Sequence, residues 1–549
     1  MNRKDFVQHL FGSGFSEAAP QKISSSGVTP YSGAWTEKQV RHLLRRTGFG
    51  APKHLVDQLL PLGMTAAVNN VLTTTPLPPP PVNYYASPAD ADGVTYGTTW
   101  VNQSPTANVA LTNPPRVESY IGWWGKHILN SGPSIHEKMV IFWHNHFATN
   151  NNNMFAAWLY KQNMTFRQYA LGNVKTLTKE ISKDPCMLEF LNGKLNSKTA
   201  PDENYARELQ ELFTVGKALG VNGYTEDDVK AAARVLTGYR INYLSPSGYY
   251  FNAAEHDITN KTFSAFYNNT VIAGQSGAAG ENELDQLLNM IFAQSETAKH
   301  IVRRLYMFFV YYKIDAGVES NVIEPLAQEL ISNNFEILPV LQTLFKSEHF
   351  YDMAHMSCHI KSPYDFAMGF IRELEAPMPA NEPDLLMALH KLNLFTGQMG
   401  MELHNIQQVA GWIAYYQTPG FHENWINAST LSARIDFSKQ FLNGLNYGGP
   451  SNLKLDILSF VSTFTNPSDP NALVQEACTR LYSYDISQNG RDFLKSFLLA
   501  GGPGADSYWV AAWDNYVINP TDPAAINAVE TRLKSMFEVM FSQSEFQIS

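Results

Sequence analysis

Apolar residues fall at helical spacing in one block after another, and this periodicity constrains the chain more than any other feature. The first block opens near Trp35, with Val40, Leu43 and Leu44 on one face, and closes at Gly48-Phe49-Gly50, where glycine can end a helix. Further helices are predicted over about 52–72, with a break near Pro61 and Gly63, and over 116–130, 134–144, 166–182, 201–215 and 226–236. The pattern resumes near 283, covers 295–310, and recurs in pieces up to a last helix over 523–541. Alternating aromatics (Tyr243, Tyr249, Phe251) within 242–263 supply the only strand signal. The predicted class is therefore mainly α: a large multi-helix globular fold with long irregular loops and at most a small β element.

Punctuation divides the chain further. Residues 1–34 are rich in Ser and Gly and read as a flexible arm. Residues 35–355 read as a helical core holding the candidate site, and 356–549 as a C-terminal helical region packed on it. Within the core, five prolines between Pro76 and Pro81 cannot sit inside a helix, because proline lacks the donor and clashes with the preceding turn. The stretch 73–115 is accordingly expected to be a long irregular excursion. Three fragments share an apolar-Phe then Ser-Glu ending, at Phe292, Phe345 and Phe541, and read as helix ends followed by a Ser cap.

Composition narrows the class of function. Charged residues make up 16% of the chain against 44% apolar ones, so a large interior is expected rather than a solvated coil. The net charge of −10 and the lack of any long Lys/Arg run argue against nucleic-acid binding. No apolar run approaches the length needed to cross a bilayer. The opening Met1-Asn2-Arg3-Lys4 is basic, yet Gly12-Ser13-Gly14 replaces the apolar core of an export signal, so no clear signal peptide is read. Cys186, Cys358 and Cys478 are far apart and read as buried small hydrophobes.

Chemistry is expected within 142–257. Asn204-Tyr205-Ala206-Arg207-Glu208-Leu209-Gln210-Glu211 follows Pro201 and two acids, which suit a helix start. Tyr205, Leu209, Leu212 and Phe213 take its apolar face, leaving Asn204, Arg207, Glu208 and Glu211 as a polar stripe. That stripe is either a solvated face with an Arg207–Glu211 pair or the wall of a cleft in which each charge sets the other's protonation. His144 and His146, at i and i+2, point about 200° apart on a continuous helix and can share an ion only if the backbone is extended there or the helix ends between them. His256-Asp257 follows the strand signal. No phosphate-binding glycine loop, serine elbow or zinc-protease pair occurs.

Several separated segments together resemble the bacterial domain-of-unknown-function family numbered 1800. They include His42-Leu43-Leu44-Arg45-Arg46-Thr47-Gly48-Phe49-Gly50, Trp143-His144-Asn145-His146-Phe147, Ser182-Lys183-Asp184-Pro185, Asn204-Tyr205-Ala206-Arg207-Glu208, Tyr224-Thr225-Glu226, Thr237-Gly238-Tyr239, His256-Asp257, Lys361-Ser362-Pro363, Gly411-Trp412, Trp425-Ile426-Asn427 and Ser544-Glu545-Phe546-Gln547. Tyr239 stands where the family usually has Trp, and Gln210 where its repeated Leu falls. The resemblance implies a helical fold, an export signal, hence a periplasmic or extracellular place, and a companion protein similar to sulfatases and alkaline phosphatases. It implies no particular reaction.

The expected function is an envelope-associated or extracellular enzyme acting on a glycan or other cell-surface polymer by His/Glu acid–base chemistry, of hydrolase or lyase type. His144, His146, Glu208 and Glu211 are the expected catalytic groups, with Asn204, Tyr205, Arg207, His256 and Asp257 binding substrate. No cofactor is expected. Two alternatives stand beside this reading: a non-catalytic binding or assembly protein, and an enzyme using a divalent metal on His144, His146 and carboxylates.

Overall fold

The computed structural model describes residues 26–217, 223–499 and 506–549. Helix takes 58% and strand 5%, so the class is mainly α, with the strands confined to two antiparallel pairs. Tyr239–Ile241 pairs with Tyr249–Phe251, and Lys261–Thr262 with Val271–Ile272. Both pairs fall beside or inside the stretch where alternating aromatics gave a strand signal.

Local sequence explains most boundaries. The first helix, Glu37–Thr47, carries a capping box between Thr36 and Gln39 and two arginines in its last turn. The predicted break at Pro61 and Gly63 separates Lys53–Leu59 from Met64–Val71. Two boundaries differ from expectation. Val109–Leu129 begins seven residues early and contains Pro114 and Pro115, because two prolines near a helix start remove only bonds from its first turns. The block at 166–182 is two helices, Ala156–Gln168 and Val174–Ser182, since the Asn173 side chain accepts the Thr176 N–H and starts a new one.

The buried apolar side chains form one continuous cluster running from Val40 to Phe546. Its centre holds His136–His146, a helix whose every residue is buried. Beside it, Val109–Leu129 packs closely along Glu382–Gln398. The approach depends on Gly122, where a Cβ would lie 2.5 Å from the Leu386 carbonyl oxygen.

The expected arm falls largely outside the described residues. Those from 26 to 34 lie against 346–349: the Tyr31 N–H donates to the Lys346 carbonyl at 2.7 Å and the Ser32 N–H to Glu348 at 2.7 Å. At the far end, Lys361 N–H donates to the Gln547 carbonyl, and Ser549 N–H to that of His359, both at 2.8 Å. No helix among the described residues is long and apolar enough to cross a membrane. Cys186 and Cys478 are free, buried thiols, and the half-buried Cys358 Sγ donates to the His355 carbonyl at 3.0 Å.

Candidate functional site

A helix buried on all sides must satisfy each polar residue it carries, and His136–His146 nearly does. Glu137 grips the Arg167 guanidinium with both carboxylate oxygens, and Lys138 is paired with Asp365. Asn145 Oδ1 accepts the Trp412 N–H at 2.9 Å. His146 donates from Nε2 to the Phe213 carbonyl at 3.0 Å. His144 is the exception. Neither of its ring nitrogens has a hydrogen-bond partner. Its ring lies 4.6 Å from that of His404 and meets Trp124 and Trp412 edge-on at 5.6 and 5.7 Å. Burial pushes His144 down to about 3 and holds His146 well below the ordinary histidine range. Both imidazoles are therefore neutral at physiological pH.

The helix runs through His146, so the two rings leave it in different directions, one toward His404 and one toward Phe213. His256 lies elsewhere again, with Nδ1 donating to the Thr237 carbonyl at 2.9 Å and Nε2 facing Glu283 at 3.1 Å. Glu283 also pairs with Lys261 at 2.5 Å, and all three side chains are sealed from solvent. Asp257 is bound by Arg234 at 2.7 Å; against its burial, that bond and those from Thr259 draw it down to about 2. Among the described residues no three His, Cys, Asp or Glu side chains come together as a group able to hold a metal ion.

The polar stripe is arranged differently from its expected pairing. Asn204–Glu208 is α-helical, but Leu209–Phe213 widens into a π-helical turn, and the Gly216 N–H closes it on the Gln210 carbonyl. Two imidazoles hold its free carbonyls, His300 on Leu212 at 2.9 Å and His146 on Phe213. Such wide turns recur at functional sites. Arg207 does not pair with Glu211. Its guanidinium forks onto Glu226 at 3.0 and 2.6 Å and also reaches Glu203 at 3.0 Å. Glu211 faces Lys217 at 3.4 Å instead. Asn204 donates to the Leu191 carbonyl, and Tyr205 shares a 2.7 Å hydroxyl contact with Ser182.

What the stripe does gather is Glu208, Glu211 and Tyr224. Burial, followed by the neighbouring Glu211, raises the Glu208 carboxyl above its ordinary range. Tyr224 is buried and its hydroxyl has no hydrogen-bond partner, an uncommon state for a phenol. Burial and then Glu211 raise it as well.

A second polar array lies apart from the stripe. Tyr120 donates to His404 Nδ1 at 2.7 Å, His404 Nε2 to Gln162 at 3.0 Å, and Gln162 to Asp184 at 2.6 Å. Every member is buried. No local pattern announced it, because its four residues come from four segments without a shared motif.

The sequence model described as "Protein of unknown function (DUF1800)" matches residues 42–548. The chain belongs to that family. The DUF1800 match thus covers nearly the whole chain, including every residue of the candidate site. No curated protein and no solved structure matches the chain. The DUF1800 segments that carry the likeness in sequence are distributed over both the buried central helix and the π-helical turn.

Proposed function

We propose that this protein is an acid–base enzyme of hydrolase or lyase type acting on a glycan or other cell-surface polymer, and that Glu208 transfers the proton. The observation that carries the reading is the Glu208 carboxyl, only partly buried, raised by burial and by Glu211, which also raises the Tyr224 hydroxyl, a group without a hydrogen-bond partner among the described residues. A carboxyl raised above its ordinary range holds its proton more readily and can give it back, and a second carboxylate nearby favours this. In this reading Arg207 fixes the turn through Glu226 and Glu203, and the buried His144 and His146 support the scaffold. His256 and Asp257 do the same in their own closed network, while Asn204 and Tyr205 hold the entry to the turn.

The test is a panel of neutral, uronic and sulfated polysaccharides, assayed for new reducing ends and for the absorbance of unsaturated products. Wild-type protein should cleave at least one, and Glu208→Gln should lower kcat by about 10²- to 10⁴-fold with its fold intact. A Glu208→Gln protein as active as wild type would sink the assignment.

A second reading rests on a different observation. Val517 and Ile518, adjacent at the end of the Asp506–Ile518 helix, are 59 and 76% exposed, an apolar tip that suits a protein partner such as the expected sulfatase-like companion. Inactivity of the wild type on the whole panel would favour this assembly role.

A further inference from the structure

Away from the π-helical turn, a small hollow is lined by Arg45, Arg46, Lys138, His359 and His422, with Asp365 beside them. The five basic side chains come from residues with only 4–8% exposure. Three of these, Arg45, Arg46 and Lys138, are cationic, and burying such groups is costly unless each finds an opposite charge. Two of them do. Arg45 bonds Glu373 at 2.8 Å and the carbonyls of Arg480 and Tyr482, and Lys138 is paired with Asp365.

Arg46 finds only neutral acceptors. One of its terminal nitrogens donates to the His355 carbonyl at 2.9 Å and to Cys358 Sγ at 3.3 Å, and its Nε has no partner. His359 Nε2 is likewise without a partner. His422 accepts the Ile360 N–H at Nδ1, 3.3 Å away. A buried guanidinium without a carboxylate and an unmet imidazole nitrogen therefore face one enclosed polar space. Donors gathered in this way fit the lone pairs of an oxoanion.

We propose that this hollow binds a small oxoanion, a phosphate, sulfate or carboxylate group, on Arg46 and His359, with Lys138 adding charge. The anion supplies the counter-charge that no described residue gives Arg46. Ser549 also lines the hollow, with its main chain paired to that of His359. This site is separate from Glu208 and does not depend on the catalytic reading.

The whole protein is titrated with sodium phosphate, sulfate or acetate at constant ionic strength set by sodium chloride, and followed by calorimetry and thermal melting. At least one oxoanion should bind saturably and raise the melting temperature, as any ligand of the folded state does. Arg46→Gln and His359→Gln should each weaken binding about ten-fold, while Arg207→Gln leaves it unchanged. Should Arg46→Gln fail to fold, His359→Gln decides alone. Competition by a sulfated oligosaccharide would mean that the anion arrives on a polymer, and binding of inorganic ions alone that it arrives free. A response matched by chloride, wild-type affinity in folded His359→Gln, or binding seen only after Ser549 is removed would overturn the proposal.

Discussion

Two cations of this protein, Lys261 and Arg207, each meet carboxylates, but solvent sets what each pair is worth. Lys261 and Glu283 are wholly buried, and removing one partner strands the other charge. Lys261→Met should therefore lose about 3–5 kcal/mol of stability in urea unfolding. Arg207 keeps about a third of its side chain in water, so Arg207→Met should lose no more than about 1 kcal/mol, despite its forked bond to Glu226. Equal losses would contradict this assignment of closed and open networks. The sequence pointed to Arg207 as a paired residue but not to its partner. Helical spacing offers Glu211, whereas Glu226 reaches Arg207 only once the next helix folds back. For His144, the apolar neighbours Phe142, Trp143 and Phe147 were a visible sign of burial. The rings that enclose it, from Trp124, His404 and Trp412, come from distant segments.

Elements were more legible than pairs, because caps and periodicity act over a few residues. Glu226–Val235 opens on a Thr225–Asp228 capping box, and Pro523–Ser542 on Asp522, both within a residue of expectation. The Phe-then-Ser pattern was read one step off. Ser295 and Ser544 are the first residues of their helices, after Gln294 and Gln543 at the cap position. The π-helical turn was not readable, since it differs from an α-turn by one residue per turn and keeps the same apolar face. One turn outside the helices also shapes the centre. Gly411 has φ +97°, and a Cβ there would lie 2.4 Å from Asn145 Oδ1 and 2.6 Å from the Asn145 carbonyl. Gly411→Ala should thus displace Trp412 from the end of the central helix and lose about 1–3 kcal/mol, read from the urea midpoint. An unchanged midpoint would mean that this turn does not seat the helix.

At the scale of the whole molecule, the fold acts as a store of neutral imidazoles. Burial pushes His144 and His355 down to about 3 and His300 to about 4, and holds His404 and His359 well below their ordinary range. In the unfolded chain these rings charge near pH 6.5. Below that value the unfolded state binds more protons than the folded one, so stability is full above about pH 6.5 and falls as pH drops toward the depressed values. Urea midpoints should hold level from pH 7.5 to about 6.5 and decline steadily from there to pH 4.5, and a flat profile over the lower range would contradict the burial described. The basic hollow belongs to this scale too, and that is why the sequence hid it. Arg45-Arg46 and Lys361-Ser362-Pro363 stood out only as marks of resemblance, and nothing local linked them to His359 or His422. A different consequence follows from the pairings at 346–349 and 359–361, which clasp residues 26–34 and 547–549 respectively. The shortest bonded route from Ser26 to Ser549 passes through that one short stretch, so tension applied at those two points would travel along it and leave the helical interior unloaded.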